Sequence, residues 1–95
     1  MRLTPDQAET IRQNVRRHLG EHAQIWLFGS RADDQRRGGD VDLYVEPAQP
    51  AGLVDRLRCS SALADALDLQ VDLIVHQPGR ELPIYRIARQ QGVLL

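Results

Sequence analysis

The alternation of apolar and polar residues from Asp40 to Glu46 constrains the fold of this 95-residue chain more than any other feature. Side chains on a β-strand point alternately to its two faces, so this pattern predicts a strand with one buried face. The buried face is predicted to carry Val41, Leu43 and Val45, and the opposite face Asp40, Asp42, Tyr44 and Glu46. The sequence therefore predicts a strand that presents carboxylates on the side away from its apolar contacts.

A shorter apolar run over residues 24–28 precedes this strand and predicts a second, buried strand. The run stops at Gly29–Ser30, where the chain is expected to turn out of the sheet. Ser30 is predicted to cap a short helix over roughly residues 31–36. A Gly-Gly pair then breaks that helix before the alternating strand begins.

Three longer helices are predicted from helical spacing of apolar residues. The first begins with Thr4-Pro5-Asp6-Gln7, which combines an N-cap, a proline in the first helical position and the glutamine of a capping box. Its apolar stripe is Ala8, Ile11, Val15 and Leu19, and Gly20 ends it. The second spans about residues 51–67, supported by Leu53, Val54, Leu57, Leu63, Ala64 and Leu67. The third runs from Pro83 to about Gln91, with Ile84, Ile87 and Ala88 facing inward and Gly92 at its end.

Together with a third strand at Val71–Val75, these elements predict an α/β (α+β) fold with a small mixed sheet of three to four strands covered by helices. The helix between the second and third strands allows a right-handed crossover, so these two strands are predicted to be parallel. The first and second strands have a short connection and are predicted to be antiparallel. We expect residues 1–95 to form a single domain.

This topology brings Asp40, Asp42 and Asp72 to one edge of the sheet. Carboxylates at short range repel each other, so such a group either keeps a proton or binds a cation. Hard oxygen ligands suit Mg²⁺ or Mn²⁺, which commonly bridge carboxylates to substrate phosphates. The three aspartates are therefore candidate metal ligands and catalytic residues.

The turn at the end of the first strand is predicted to bind phosphate at the same edge. Gly29 would let the backbone approach a phosphate closely, and Ser30 and the following amides would donate hydrogen bonds to it. Arg31 adds a positive charge beside them. Gly29, Ser30 and Arg31 are therefore candidate nucleotide-binding residues.

Composition excludes several other functions. The formal net charge of -1 gives no general attraction to nucleic acid or to anionic membranes. All twelve basic residues counted as Lys and Arg are Arg, which excludes Schiff-base chemistry and a Walker-type lysine. The single cysteine, Cys59, cannot form an internal disulfide, and we find no signal peptide or membrane-spanning run, so we expect a cytoplasmic protein.

Three pieces of the sequence together resemble the DNA polymerase beta-like nucleotidyltransferase superfamily. The superfamily pattern is a Gly-Ser pair, a spacer, an Asp-hydrophobic-Asp run and a later carboxylate on a strand. The matching residues here are Gly29–Ser30, Asp40–Val41–Asp42 after a nine-residue spacer, and Asp72. Residues 28–32 and 40–43 are most similar to the minimal nucleotidyltransferases, the MNT family of bacteria and archaea. The resemblance covers almost the whole chain.

The resemblance implies a Mg²⁺-dependent enzyme that transfers AMP, or another NMP, from ATP or another NTP to a hydroxyl acceptor. MNT proteins commonly act as the antitoxin of a helical HEPN-domain toxin, so the acceptor is expected to be a tyrosine of such a partner. The residues implied as catalytic and metal-binding are Asp40, Asp42 and Asp72. Those implied as nucleotide-binding are Gly29, Ser30 and Arg31.

Other interpretations remain open at this point. The chain could be a non-catalytic antitoxin that neutralises a HEPN partner by binding alone, or a small nucleic-acid-binding regulator, which the net charge disfavours. Asp40 and Asp42 could form a solvated strand face, and Asp72 could be a strand-edge carboxylate paired with an arginine. Trp26, Phe28 and Tyr44 are expected to pack rather than to act in catalysis. His18, His22 and His76 lack the spacing of a zinc site.

Overall fold

The computed structural model describes residues 3–32 and 40–95. In chain order the elements are α1 (Pro5–Leu19), β1 (Gln24–Phe28), a 3₁₀ turn (Gly29–Ala32), β2 (Val41–Glu46), α2 (Leu53–Leu67), β3 (Val71–Val75), α3 (Pro83–Gln91) and β4 (Val93–Leu94). The Gly-Gly pair and most of the short helix predicted over residues 31–36 lie outside the described residues. Within the described ranges, every helix is too short or too polar to span a bilayer.

The first helix confirms the predicted capping box. The Thr4 hydroxyl accepts a hydrogen bond from the Gln7 backbone N–H at 3.0 Å, and the Gln7 side chain accepts one from the Thr4 N–H at 3.0 Å. Two backbone N–H groups that a helix start leaves without partners are thereby satisfied. The predicted stripe of Ala8, Ile11, Val15 and Leu19 is buried.

The four strands form one mixed sheet in the order β3-β2-β1-β4. β2 is parallel to β3 and antiparallel to β1, as predicted, and β4 adds a short antiparallel edge next to β1. The fold class predicted from the sequence is thus confirmed. With this topology, the end of β1 and the starts of β2 and β3 lie at the same edge of the sheet.

The two faces of the sheet contact different helices. One face packs against α1 and α2 through a core that includes Ile25, Leu27, Val41, Leu43 and Val45. The other face packs against α3 through Tyr44, Tyr85 and Ala88, with Trp26, Phe28, Ile74 and Ile84 around them. Because side chains alternate along β2, Asp42 lies on the α3 face of the sheet.

The helix predicted over residues 51–67 is confirmed, but its apolar residues are only partly buried. Cys59 and Leu63 are fully buried against the sheet. Leu53, Val54 and Leu57, which supported the same prediction, remain 57–60% exposed. The first turns of α2 therefore present an apolar surface. Leu57 lies two residues, about 200° around the helix, from the buried Cys59, so it faces away from the core.

The predicted inward face of α3 was wrong at one position. Ile84 is partly buried and Ala88 is buried, but Ile87 is 42% exposed and Tyr85 takes the central buried position instead. At 100° per residue, Ile87 lies about 200° around the helix from Tyr85, so both cannot face the sheet. The Tyr85 ring stacks on Tyr44 at 5.2 Å, and this contact fixes the rotation of the helix.

Candidate functional site

Two of the predicted carboxylates meet on neighbouring strands. Asp42 of β2 and Asp72 of β3 are register partners in the parallel pair, and both lie on the α3 face. Asp42 is half-buried and Asp72 is exposed at the sheet edge. Their carboxyl groups are within hydrogen-bonding reach of each other. Since a bond between two carboxyl groups needs a proton on one of them, this pair favours either a retained proton or a cation.

The electrostatics at Asp42 agree with that geometry. Burial raises the pKa of the Asp42 carboxyl above its ordinary value, and the charge of Asp72 and the hydrogen bond with it raise the pKa further. Asp40 has a smaller effect in the same direction. It precedes β2 directly and is half-buried.

The three aspartates do not form a closed metal centre by themselves. Among residues 3–32 and 40–95, no three His, Cys, Asp or Glu side chains are grouped closely enough to hold a metal ion. The structure gives a close pair, Asp42 and Asp72, with Asp40 beside it. Mg²⁺ commonly takes one or two protein carboxylates together with substrate phosphates, so an open pair fits a cation that arrives with a nucleotide.

The Gly29 backbone lies directly against the Asp42 carboxylate. Gly29 directly follows β1 and has a φ of 72°, a left-handed conformation that favours glycine. A Cβ added there would collide with Oδ2 of Asp42 and come within 3.0 Å of its Cγ. The sequence predicted close backbone approach at Gly29, but the carboxylate that occupies this space was not foreseen.

Residues Gly29–Ala32 form a 3₁₀ turn, within which Ser30 and Arg31 are half-buried. Most of the helix predicted over residues 31–36 lies outside the described residues, so the capping role of Ser30 stays a prediction. Ser30 and Arg31 lie at the edge of the sheet that carries Asp42, as the topology requires.

The alternative interpretation of Asp72 was a strand-edge carboxylate paired with an arginine. Asp72 forms no ion pair with any arginine that the structure describes, and its side chain instead approaches Asp42. Two carboxylates at short range repel each other in the free protein. Such an arrangement is typical of sites that bind a cation or a proton.

A second polar cluster, which the sequence did not predict, lies farther along the same face. The Tyr44 hydroxyl donates a hydrogen bond to Glu46 at 2.6 Å, and Arg89 of α3 donates to the same carboxylate at 2.7 Å. The other guanidinium nitrogen of Arg89 donates to Glu81 at 2.6 Å. We call these four residues the Arg89 clamp, since they join β2, α3 and the segment before α3.

Trp26 and Tyr44 pack as predicted, and two rings that the sequence did not assign to packing, Tyr85 and His76, join them. Trp26, Tyr44, Tyr85 and His76 form a continuous row with ring centroids 4.9–5.5 Å apart. Burial and the hydrogen bond to Glu46 raise the pKa of Tyr44 far above its ordinary value. The Tyr44 hydroxyl is therefore a fixed hydrogen-bond donor and not a proton acceptor at neutral pH.

A small mixed sheet with a Gly-Ser turn against a pair of strand carboxylates is typical of nucleotidyltransferases, and the comparison with protein families agrees. The family described as "Polymerase beta, Nucleotidyltransferase" matches residues 9–95. The chain belongs to this family and is a nucleotidyltransferase. It is also 29% identical over 79 residues to "Putative protein adenylyltransferase MJ0126" of Methanocaldococcus jannaschii, covering 72% of this chain and 81% of that protein.

Solved structures with the same fold include toxin–antitoxin complexes. The chain is 25% identical to a protein in the complex of a tri-AMPylated Shewanella oneidensis HEPN toxin with its MNT antitoxin, with a TM-score of 0.73 over 93% of this chain and 67% of that one. It is 26% identical to a protein in a toxin–antitoxin structure with AMP-PNP, with a TM-score of 0.76 over 97% of this chain and 72% of that one.

Proposed function

We propose that this chain transfers AMP, or another NMP, from ATP or another NTP to a tyrosine hydroxyl of a HEPN-domain toxin, with Mg²⁺ or Mn²⁺, and acts as its antitoxin. Family membership supports nucleotidyl transfer. The named relatives support the finer assignment, because one is a protein adenylyltransferase by name and another is an antitoxin beside an AMPylated HEPN toxin.

The observation that carries this proposal is the pairing of Asp42 with Asp72 against the Gly29 backbone. The two carboxylates lie on the same face of two parallel strands, and the Gly29 backbone contacts the Asp42 carboxylate. A bound divalent cation would neutralise the pair, position the triphosphate and stabilise the leaving pyrophosphate. Asp40, Asp42 and Asp72 are the proposed ligands.

The chain's own residues would orient the reactants. Gly29 and Ser30 lie at the edge of the sheet that carries Asp42, so their backbone amides would donate hydrogen bonds to a phosphate bound there, and Arg31 would contribute positive charge. Asp72 is the most exposed of the proposed ligands, so its carboxylate is the one placed to accept the proton of an incoming hydroxyl.

To test the proposal, purified chain is incubated with α-labelled ATP, Mg²⁺ and a HEPN-domain protein from the same genome. We expect label on the HEPN protein with wild type and at least a 100-fold slower transfer with Asp42→Asn. Asp65→Asn, an exposed aspartate of α2 on the other side of the sheet, is the matched control and should transfer normally. No transfer by wild type, or equal transfer by Asp42→Asn, would refute the catalytic proposal.

Exposed apolar residues favour a second candidate function, a non-catalytic antitoxin that acts by binding alone. Leu53, Val54 and Leu57 on α2, and Leu82 and Ile87 beside and on α3, remain exposed in the isolated chain. The discriminating measurement is toxin neutralisation in cells by the Asp40→Asn/Asp42→Asn double variant. Neutralisation that survives these substitutions favours binding, and its loss favours catalysis.

A further inference from the structure

The outer side of α3 carries an apolar groove with a positive charge. Leu82 and Ile87 are 40% and 42% exposed, and with Pro83, Arg86 and Glu81 they line a groove of about 250 Å³. We call Leu82, Pro83, Arg86 and Ile87 the α3 patch. Exposed apolar residues grouped around a groove are typical of binding surfaces.

This patch is on the same face of the sheet as the acidic pair. The inner side of α3 packs on Tyr44, which follows Asp42 by two residues on one face of β2. At the end of the helix, the Cβ position of Gly92 lies 3.3 Å from Cβ of Phe28, whose register partner is Asp42. The nine residues of α3, about 14 Å long at 1.5 Å per residue, therefore run from the patch to the acidic site.

The charge around the patch depends on the Arg89 clamp and on two further arginines. Arg89 pairs with Glu81 at 2.6 Å and with Glu46 at 2.7 Å, so one positive charge is shared between two carboxylates. Arg86 and the neighbouring Arg80 form no ion pair with any residue that the structure describes. Arg80, Arg86 and Arg89 together exceed Glu46 and Glu81 by one positive charge. An apolar groove lined by Arg86 in such surroundings is complementary to an apolar side chain flanked by carboxylates.

The other exposed apolar surface lies on the opposite layer. Leu53, Val54 and Leu57, the α2 patch, belong to a helix that packs on the face of the sheet away from Asp42. A protein bound there would be separated from the acidic pair by the sheet itself. A protein whose hydroxyl must reach Asp72 is better held by the α3 patch.

We infer that the α3 patch is the docking surface for the protein that carries the acceptor hydroxyl, and that this protein presents an apolar side chain flanked by carboxylates to it. The inference rests on the proposed function, since it assumes a protein acceptor. Beyond that function, the inference specifies the surface that binds the acceptor protein and the apolar and charged contacts that hold it.

The test measures the Kd of this chain for the HEPN-domain protein, by calorimetry, separately from AMP transfer. Leu82→Gln/Ile87→Gln should raise the Kd about tenfold or more, while Leu53→Gln/Leu57→Gln, the matched pair on α2, should leave it unchanged. Arg86→Glu should weaken binding as well and reduce its dependence on salt, whereas Arg16→Glu on α1 should do neither. Arg86 is exposed, so its variant tests the inference even if the double variant unfolds.

The outcomes separate the two proposals. Loss of transfer at low partner concentration, with recovery at saturating partner, is expected of the α3 variants and indicates docking rather than chemistry. An unchanged Kd in both α3 variants would overturn the docking inference even if wild type transfers AMP. Self-association of the chain that the α3 variants abolish would also overturn it, in favour of a second copy as the occupant.

Discussion

At the scale of single residues, the contact between Gly29 and Asp42 links the fold to the chemistry. The left-handed φ of Gly29 turns the chain out of β1, and the missing side chain leaves room for the Asp42 carboxylate. Glycine is therefore required at position 29 both for the backbone conformation and for the space that Asp42 occupies. Gly79 allows the two requirements to be separated, because it has a φ of 77° and no atom within 4 Å of its Cβ position.

We predict that Gly29→Ala loses both stability and transfer, whereas Gly79→Ala loses stability alone. A left-handed alanine costs about 1–2 kcal/mol at either position. At Gly29 the methyl group must also displace Asp42, and an ångström of displacement at a reacting group costs about 100-fold in rate. Chemical denaturation and the AMP-transfer rate of both variants check this. Equal transfer rates would show that the position of the Asp42 carboxylate does not depend on Gly29.

A second prediction concerns Cys59. Cys59 lies on the inner side of α2 and is fully buried, and this burial raises the pKa of its thiol to about 11 from the ordinary 9.0. Native protein at pH 8 should therefore resist alkylation by iodoacetamide and react only after denaturant is added. Because the pKa is higher in the folded state, the stability linked to this thiol is intact below pH 9 and lost as pH rises towards 11.

Cys59→Ala is the control for that pH dependence. The variant should be less stable at neutral pH, because it leaves a small cavity, and should show a smaller loss of stability between pH 9 and 11. Parallel stability curves for wild type and variant across this range would contradict the prediction.

At the scale of elements, the Arg89 clamp joins β2 to α3. Hydrogen bonds to Glu46 and Glu81 raise the pKa of Arg89, so the guanidinium stays charged at all accessible pH values. Burial alone would raise the pKa of Glu46, but the hydrogen bonds from Tyr44 and Arg89 outweigh it and hold the pKa below 4.5. The hydrogen bond from Arg89 likewise lowers the pKa of Glu81.

We therefore predict that Arg89→Met destabilises the protein near pH 7 and that the difference from wild type shrinks in acid. Both glutamates have depressed pKa values in the folded state, so their contribution is present above pH 4.5 and lost as pH falls through the depressed values. Thermal melts from pH 7 to pH 3 measure this. The control is Arg16→Met on α1, since Arg16 forms no ion pair with any residue in the described ranges. A difference that stays constant down to pH 3 would contradict the role of the clamp.

Elements whose signals are local could be predicted from the sequence. The capping box of α1 and the buried face of β2, with Val41, Leu43 and Val45, depend on neighbours within a few positions, and both are confirmed. The prediction that β2 has only one buried face was wrong, because α3 covers Tyr44 on the opposite face. The inward face of α3 was not predicted correctly, because Tyr85 is placed by stacking on Tyr44, 41 residues away along the chain. Contacts of that kind are set by tertiary packing and leave no local pattern.

The site follows the same division. The meeting of Asp42 and Asp72 could be expected from two strand patterns and one crossover rule. The clamp and the collision at Gly29 could not, since both arise from side chains of elements whose relative rotation the sequence does not reveal. Arg89 in particular had no signal beyond its place in a helical run.

At the scale of the whole molecule, the acidic pair is expected to lower the stability of the free protein and to increase the stabilisation that a bound nucleotide gives. Asp42→Asn removes repulsion from Asp72, so the free variant should be at least as stable as wild type. Wild type should gain about 2.7 kcal/mol of unfolding free energy when Mg²⁺–ATP is at 100 times its Kd, and the variant at the same concentration should gain far less. Thermal melts with Mg²⁺ alone, ATP alone and both together check this. Equal stabilisation of both proteins would place the nucleotide elsewhere.

The strict alternation along β2 also bears on how the gene for such a protein could change in length. Adding or deleting one codon between positions 41 and 46 would exchange the two faces of the strand for the residues on one side of the change, so that Asp42 or core residues such as Leu43 would lie on the wrong face of the sheet. Folding and activity would then fail together. A change in the length of the loop after Glu46 would not exchange the faces of a strand. We therefore expect insertions and deletions among descendants of this gene to occur mainly in that loop.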